Sequence, residues 1–430
     1  MVRGGVCPAT FPLTVLKTIR VPAVPRSIFR PVTDLVADKI IGDAITEVVH
    51  ETSADVIHVQ TEGLAPVGVR VAREQRLPVV VTLHGINAGF LDSPYQKRRL
   101  RPALEAADRV ILVGEPLREY FRTYIGSDRN FHVVPNGIDL PLARCNGSIL
   151  ANDVVRLVSV ANLHEGKGID LTLLALARLQ SEGISNWTYR VIGDGRERSA
   201  LLRLTSDLEL TKKVSFIGAV RHAEIFNQLA SDDVFVLPSY REAFGIAYLE
   251  GMAVGLLTIG VMGEGPSQFI RNGENGVLVS PRNVEALVVA LRNILIGDHN
   301  RWREIALEGQ RTVQDFYTWD NHAKQLVEVY EHVIRGGQIN QRLGREILPA
   351  LRGKENVAAE GSLKGTEADV TTLKPARNER ESRLWPFQRS IAQSHFRTEK
   401  VKYIPRALLN DKPDAARMSS QYDRWVTRMM

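Results

Sequence analysis

The chain has 430 residues, 44% hydrophobic, 24% charged and 7% aromatic, a composition ordinary for folded globular protein that excludes a wholly disordered or collagen-like chain. Its net charge of +6 is uneven: from Gly336 to Met430, 18 Lys and Arg face 11 Asp and Glu, a net +7, which leaves 37 against 38 before that point. The body therefore has no electrostatic support for a nucleic-acid-binding role.

No apolar run approaches the roughly 18 residues that a membrane-spanning helix needs. Lys17 and Arg20 interrupt the only stretch resembling a secretory leader. Two cysteines, Cys7 and Cys145, cannot build a disulfide framework, so a reducing cytoplasm is the expected compartment. No Cys/His cluster has zinc-site spacing, and no metal site is expected.

Taken in chain order, the opening has room for one strand, Thr14 to Val21. Short β-branched runs then follow at Asp55 to Val59, Pro78 to Leu83, Arg109 to Val113 and His132 to Pro135, with amphipathic segments between them. After a break near Arg144 to Asn152 the rhythm restarts. Strands are expected at Val154 to Val160, Tyr189 to Gly193, Val214 to Gly218, Val234 to Pro238, Leu256 to Gly260 and Gly276 to Val279. In the segment Asn283 to Ile296, Val284, Leu287, Val288, Leu291, Ile294 and Leu295 recur at the spacing of one buried helical face. Strands alternating with helices predict an α/β chain of doubly wound parallel sheets. The break predicts two such domains, with a ligand cleft at the strands' C-terminal ends. After about Gly336 no period is sustained, and the stretch 336–430 is expected to be a basic, largely disordered tail. Leu384-Trp385-Pro386-Phe387 is an apolar spot in it able to dock on the body.

The residues that point to chemistry are REAFGIAYLEGMA, Arg241 to Ala253. Glu242 falls in a loop after a strand, Phe244-Gly245 open a helix, and Glu250 lies inside it. Eight residues along a helix turn about 80° and rise about 12 Å. Two carboxylates so placed suit two separated hydroxyl-bearing parts of one extended ligand, because a carboxylate accepts several charge-assisted hydrogen bonds. The helix N-terminus between them offers free N–H groups to oxygens.

This Glu, seven residues, Glu pattern resembles the retaining, nucleotide-sugar-dependent glycosyltransferases of family GT4, which have the GT-B fold: two Rossmann-like domains facing a cleft. The resemblance implies that Glu242 contacts the donor sugar and Glu250 the ribose. SVANLHEGKGIDLTLLALARL (Ser159 to Leu179) is similar to the family's first strand, loop and helix of the donor domain. It places Lys167 at the diphosphate and Asn162 where the family usually carries an Arg. VIGDGRERSAL (Val191 to Leu201) matches the next strand and turn, with Gly193 at the donor and Asp194 as a helix cap. SFIGAVRHAEI (Ser215 to Ile225) matches a loop beside the nucleobase, near Val220. GEGPSQFI (Gly263 to Ile270) matches a Gly-rich turn, either a bare turn or one approaching the ligand.

In the first half, VVVTLHGIN places His84 and Gly85 directly after a strand, where the family's His often reaches the reacting region. VVPNGID places Asn136 at the cleft, with Asp139 either capping or facing it. In DVIHVQTEG the family often has two His; here the second place is Gln60, and His58 points to core or cleft.

The resemblance spans about Asp55 to Ile334. It implies an acceptor-side domain over 1–147, a donor domain over 148–318 and a closing helix over 319–335 that crosses back to the first domain. The implied catalytic residues are His84, Glu242 and Lys167. Donor binding falls to Asn162, Lys167, Gly193, Val220, Glu242, Phe244, Gly245, Ile246 and Glu250, and the acceptor cleft to His84, Gly85 and Asn136. No cofactor or metal is implied beyond the nucleoside-diphosphate sugar. The acceptor is a glycan or glycolipid of the cell envelope, and the enzyme is cytoplasmic, with at most weak contact of the basic tail with the inner membrane face. The family begins with a strand, a Gly-rich loop and a helix for which the residues before Asp55 leave too little room. The first domain is therefore expected to be shortened, and transfer to be weak. The alternatives are a catalytically inactive GT-B-like subunit and a sugar-nucleotide epimerase.

Overall fold

The computed structural model describes residues 17–22, 30–85, 93–141, 149–240, 242–336 and 396–401. The first half runs β1 (Lys17–Pro22), α1 (Arg30–Thr52), β2 (Ile57–Val59), α2 (Ala65–Glu74), β3 (Val79–Leu83), α3 (Pro94–Ala106), β4 (Arg109–Leu112), α4 (Glu115–Ile125) and β5 (Phe131–Val133). Strands β2-β3-β4-β5 form one parallel sheet in that order. Every residue of β3 is buried, as expected of a strand covered on both faces. The α1 helix is tied to α3 by Arg99, which donates to Asp34 (2.9 Å) and to Asp38.

The second half runs β6 (Val155–Val160), α5 (Ile169–Ser181), β7 (Trp187–Ile192), α6 (Arg198–Asp207), β8 (Val214–Gly218), α7 (Ile225–Leu229), β9 (Val234–Val236), α8 (Ile246–Ala253), β10 (Leu257–Val261), β11 (Val277–Val279), α9 (Val284–Ile296) and α10 (His299–Phe316). Its parallel sheet has the order β11-β10-β9-β6-β7-β8. Helix α9 starts where the Asn283 side chain accepts from the Ala286 N–H, an N-cap. It buries Leu287, Val288, Leu291, Ile294 and Leu295. The described residues thus form two parallel-sheet α/β domains.

The last long helix, α11 (Trp319–Arg335), leaves the second half and covers the free face of the first sheet. Leu326, Val329, Tyr330 and Val333 pack on Val56, Val80, Ile111 and Val134. Polar contacts fix its position. The Tyr330 hydroxyl hydrogen-bonds with His58 Nδ1, and His58 Nε2 lies 2.7 Å from the Thr82 hydroxyl. Arg109 donates to His332 Nε2 at 2.8 Å. His58, open between core and cleft from sequence, is thus spent on holding α11.

Two findings differ from the expectation that the residues before Asp55 have room for one strand alone and that the stretch after Gly336 is largely disordered: the 23-residue helix α1 precedes Asp55, and the opening strand finds its partner in the C-terminal stretch. Strand β1 does not join the first sheet; among the described residues, β2 is that sheet's edge. Instead β1 pairs antiparallel with β12 (Phe396–Val401), with Lys17 opposite Val401 and Pro22 opposite Phe396. A six-residue piece of the stretch read as largely disordered is therefore a strand. A search for local periodicity cannot see it, because its partner lies nearly four hundred residues away. The Leu384-Trp385-Pro386-Phe387 spot lies outside the described residues. Among the described residues no helix is long and apolar enough to cross a membrane.

Removing the Tyr330 hydroxyl leaves its ring packing intact but takes a partner from His58. Tyr330→Phe is expected to destabilise the first domain by about 1–3 kcal/mol, read as a lower urea midpoint, with nucleotide binding unchanged. An unaltered midpoint would show that this contact does not hold α11.

Candidate active site

In the second sheet the chain steps outward from β6 through β7 to β8, then returns and steps the other way from β9 through β10 to β11. Strands β6 and β9 are therefore parallel neighbours, with Leu157 opposite Val234, and the strand order reverses between them. Loops leaving two such strands diverge to opposite faces and open a crevice at the C-terminal ends. Lys167 comes from the loop after β6, and Glu242 from the loop after β9. The two meet there: Lys167 Nζ donates to Glu242 Oε2 at 2.7 Å, with the side chains 17% and 16% exposed.

The Glu242 loop is held from behind by the Gly-rich turn Gly263–Gly265. The Glu242 N–H donates to the Glu264 carboxylate (3.0 Å), and the Gly265 N–H donates to the Glu242 carbonyl (2.8 Å). Gly245 begins α8 at φ +98°, where a Cβ would stand 2.6 Å from the Tyr248 ring; only glycine adopts this turn without strain. Phe244, expected at the donor, is instead buried against Phe269 and Tyr317. An apolar ring gains more from that cluster than from a polar cleft, so the loop presents only the Phe244 backbone. Ile246 is half-buried in the first turn of α8.

Glu250, one further turn into α8, has a side chain only 7% exposed, with the half-exposed His222 imidazole 3.5 Å away. Burial, by loss of hydration, pushes its carboxyl up to about 8. Val220 is half-buried in the loop after β8. Gly193 ends β7, where its N–H donates to the Gly218 carbonyl (2.9 Å), and a Cβ there would fall 1.8 Å from the Ala161 carbonyl oxygen. Asn162, after β6, is exposed. Asp194 accepts from its neighbour Gly195 N–H (2.7 Å), a turn contact rather than the cap of α6, whose cap position is Glu197.

On the first-domain side, His84 follows β3 and shares a 2.9 Å hydrogen bond with Gln60 Oε1. The Gln60 amide nitrogen lies 3.2 Å from the His58 ring, so Gln60 links the two histidines. Burial pushes His84 down to about 4, leaving it neutral at pH 7. Gly85 is half-buried, and among the described residues nothing stands within 4 Å of where its Cβ would be. Asn136 is buried, its Oδ1 without a hydrogen-bond partner among the described residues. Its neighbour Pro135 accepts from His322 of α11 at 2.7 Å. Asp139 is exposed.

Sequence reasoning missed four residues here: His222, Gln268, His322 and the role of Gln60. His222 sits inside the motif matched to the nucleobase loop near Val220, and Gln268 inside the turn noted for its glycines. His322 comes from a helix that only the tertiary fold brings over the first sheet.

The raised Glu250 value has a consequence for stability. The unfolded carboxyl ionises near 4.5 and the folded one near 8. Folding therefore holds a proton that the unfolded chain has lost, and this group's contribution falls as pH rises from 4.5 to 8, being fully favourable only below 4.5. Glu250→Gln is expected to match the parent's melting temperature below 4.5 and exceed it at 8. Equal melting temperatures at both ends would mean that Glu250 ionises normally in the folded protein.

Comparison with known proteins fits this geometry. The model of glycosyl transferases group 1 matches residues 148–308, and that of glycosyltransferase family 4 matches residues 6–141. The chain is 27% identical over 293 residues to a glycogen synthase of Mycobacterium tuberculosis, covering 66% of this chain and 70% of that one. It is 25% identical over 281 residues to the GDP-mannose-dependent alpha-(1-6)-phosphatidylinositol monomannoside mannosyltransferase of Mycolicibacterium smegmatis, covering 62% and 73%. Similar solved structures include Anabaena Alr3699/HepE in complex with UDP, with TM-score 0.59, 20% identity and 67% and 81% of the two chains covered. Another is the sucrose-phosphate synthase of Thermosynechococcus elongatus, with TM-score 0.62, 22% identity and coverage of 73% and 81%. With its two parallel-sheet domains and both family models matched in order, the chain belongs to the group 1, family 4 glycosyltransferases of the GT-B fold.

Proposed function

We propose that this glycosyltransferase moves a sugar from a nucleoside-diphosphate donor to a hydroxyl acceptor, with retained anomeric configuration and without a metal ion. Its setting is assembly of a polysaccharide or glycolipid of the cell envelope on the cytoplasmic side. The observation that carries this reading is the Lys167–Glu242 pair at the strand-order reversal. One group suits a diphosphate and the other suits sugar hydroxyls, and here they stand in contact.

Breaking the bond between the anomeric carbon and the diphosphate sends the electron pair to the diphosphate. The Lys167 ammonium offsets that charge, and the nearby N-terminus of α5 adds N–H groups. The acceptor oxygen forms the new bond, and its proton leaves with the diphosphate. Glu242 accepts hydrogen bonds from the sugar, and Glu250 from the ribose. His84, neutral, is a hydrogen-bonding partner on the acceptor side rather than a cation. The retained configuration and the metal independence rest on the family resemblance. A relative that uses GDP-mannose and a structural neighbour that binds UDP make both nucleotides the first to try.

Calorimetry with UDP and GDP is the direct test. One of them should bind the full chain, and Glu250→Ala should weaken that binding by about 0.5–1.5 kcal/mol, the range for a hydrogen bond between neutral groups, because burial keeps the carboxyl largely protonated near pH 7. Glu242→Gln should instead lower the release of nucleotide from UDP-glucose, UDP-N-acetylglucosamine or GDP-mannose while leaving nucleotide affinity nearly intact. Failure of both nucleotides to bind would overturn the reading. Full turnover by Glu242→Gln would remove Glu242 from the sugar.

A further inference from the structure

Gln268 lies in the turn after β10, in the second half of the chain, yet its amide touches both domains. Its Oε1 accepts from the Glu115 N–H at 2.8 Å, the first residue of α4 in the first domain. Its Nε2 donates to the Gly265 carbonyl at 3.0 Å and to the Ala243 carbonyl at 3.4 Å. Ala243 is the residue directly after Glu242. One primary amide thus bonds to the first domain and to the loop that carries the sugar-facing carboxylate.

The first domain is shaped to meet it. Gly114, which ends the strand β4 segment and precedes α4, has extended backbone, φ −167°, so any residue fits its conformation. Space is what requires glycine. A Cβ at Gly114 would stand 2.5 Å from Gln268 Nε2, 2.7 Å from the Ala243 carbonyl oxygen and 2.8 Å from Gln268 Oε1. The acceptor domain therefore touches the donor loop backbone to backbone, with the Gln268 amide filling the seam.

We propose that Gln268 is a positioning residue that latches the two domains together and, by the same amide, sets the Glu242 loop for transfer. Bringing the domains together supplies the Glu115 N–H to Oε1, and this orients Nε2 onto the Ala243 and Gly265 carbonyls. With the domains apart, the amide loses that first partner and the loop loses a support beside Glu242. The latch predicts that transfer depends on Gln268 while nucleotide affinity, set by contacts deeper in the second domain, does not. The kinetic part of this inference rests on the proposed glycosyl transfer; the domain contact does not.

The test uses the full chain with Cys7→Ser and Cys145→Ser and spin labels at Thr123→Cys on α4 and Lys212→Cys beside β8, both exposed positions. Without nucleotide, the parent should give one short inter-label distance, and Gln268→Ala should add a longer population. Gly114→Ala, which attacks the seam from the other domain, should do the same. Gln268→Glu keeps an acceptor for the Glu115 N–H at a helix N-terminus, where negative charge is favoured, and should restore much of the short population. Turnover of whichever donor the parent uses should fall about tenfold or more in Gln268→Ala, with UDP or GDP affinity within about twofold. Unchanged distances in both Gln268→Ala and Gly114→Ala overturn the latch. Changed distances with undiminished turnover overturn its positioning role. If the parent itself neither binds nor turns over a nucleotide, the functional reading fails, while the distance measurement still decides the latch.

Discussion

Placing β6 against β9 is the constraint on which the rest of this molecule depends. Neighbours in the sheet but far apart in the chain, these strands are joined at both ends by ion pairs of opposite character. At their N-terminal ends the Asp233 carboxylate, 1% exposed, accepts two bonds from the Arg156 fork at 2.9 Å. It also accepts from the Leu150 and Arg156 N–H groups at 2.8 Å. All its acceptor capacity is used inside the fold. Removing Arg156, whose side chain is itself 35% exposed, would leave the buried Asp233 carboxylate without its ion-pair partner, a destabilising change. At the C-terminal ends, Lys167 and Glu242 share one hydrogen bond and remain partly exposed. The first pair is saturated and holds the strands; the second keeps hydrogen-bonding capacity for a ligand.

Burial tunes the other polar groups near this crevice. Glu250 is pushed up to about 8 and His84 down to about 4, each chiefly by loss of water. Both shifts favour the neutral form. A site that keeps its groups uncharged before a polar ligand arrives avoids part of the cost of burying charge. Clefts that hold such displaced groups are where chemistry is usually found. Displacement alone is not a mark of function, however: Asp232 is raised to about 7 by burial while bonded to Arg190 at 2.9 Å, in a purely structural connection between β7 and the start of β9.

The two halves are connected by more than the chain between them. The Ile138 N–H donates to the Tyr317 carbonyl at 2.9 Å, so the segment leaving the first sheet and the segment returning to it run side by side. Beyond that point α11 closes over the first sheet with apolar contacts and the His58–Tyr330 bond. The return helix is thus part of the first domain's core although it follows the second domain in sequence. That arrangement leaves the strand ends of both sheets facing each other, and contact across the cleft falls to small groups such as Gly114 and Gln268.

The amino-acid sequence by itself determined much of this. Alternating β-branched runs and amphipathic segments specify parallel α/β domains because each local period dictates which face is buried. The Glu242–Glu250 spacing and Lys167 beside its glycines were legible because a loop-to-helix turn needs a fixed order of residue types over a short stretch. Tertiary structure alone decided whatever depends on residues distant in the chain. It paired β1 with β12, turned His58 toward Tyr330, withdrew Phe244 into an aromatic cluster and brought Gln268 against Glu115. The physical reason is the same in each case. A hydrogen bond or ring contact between segments brought together only by folding leaves no periodic trace in either segment, so neither can announce its partner.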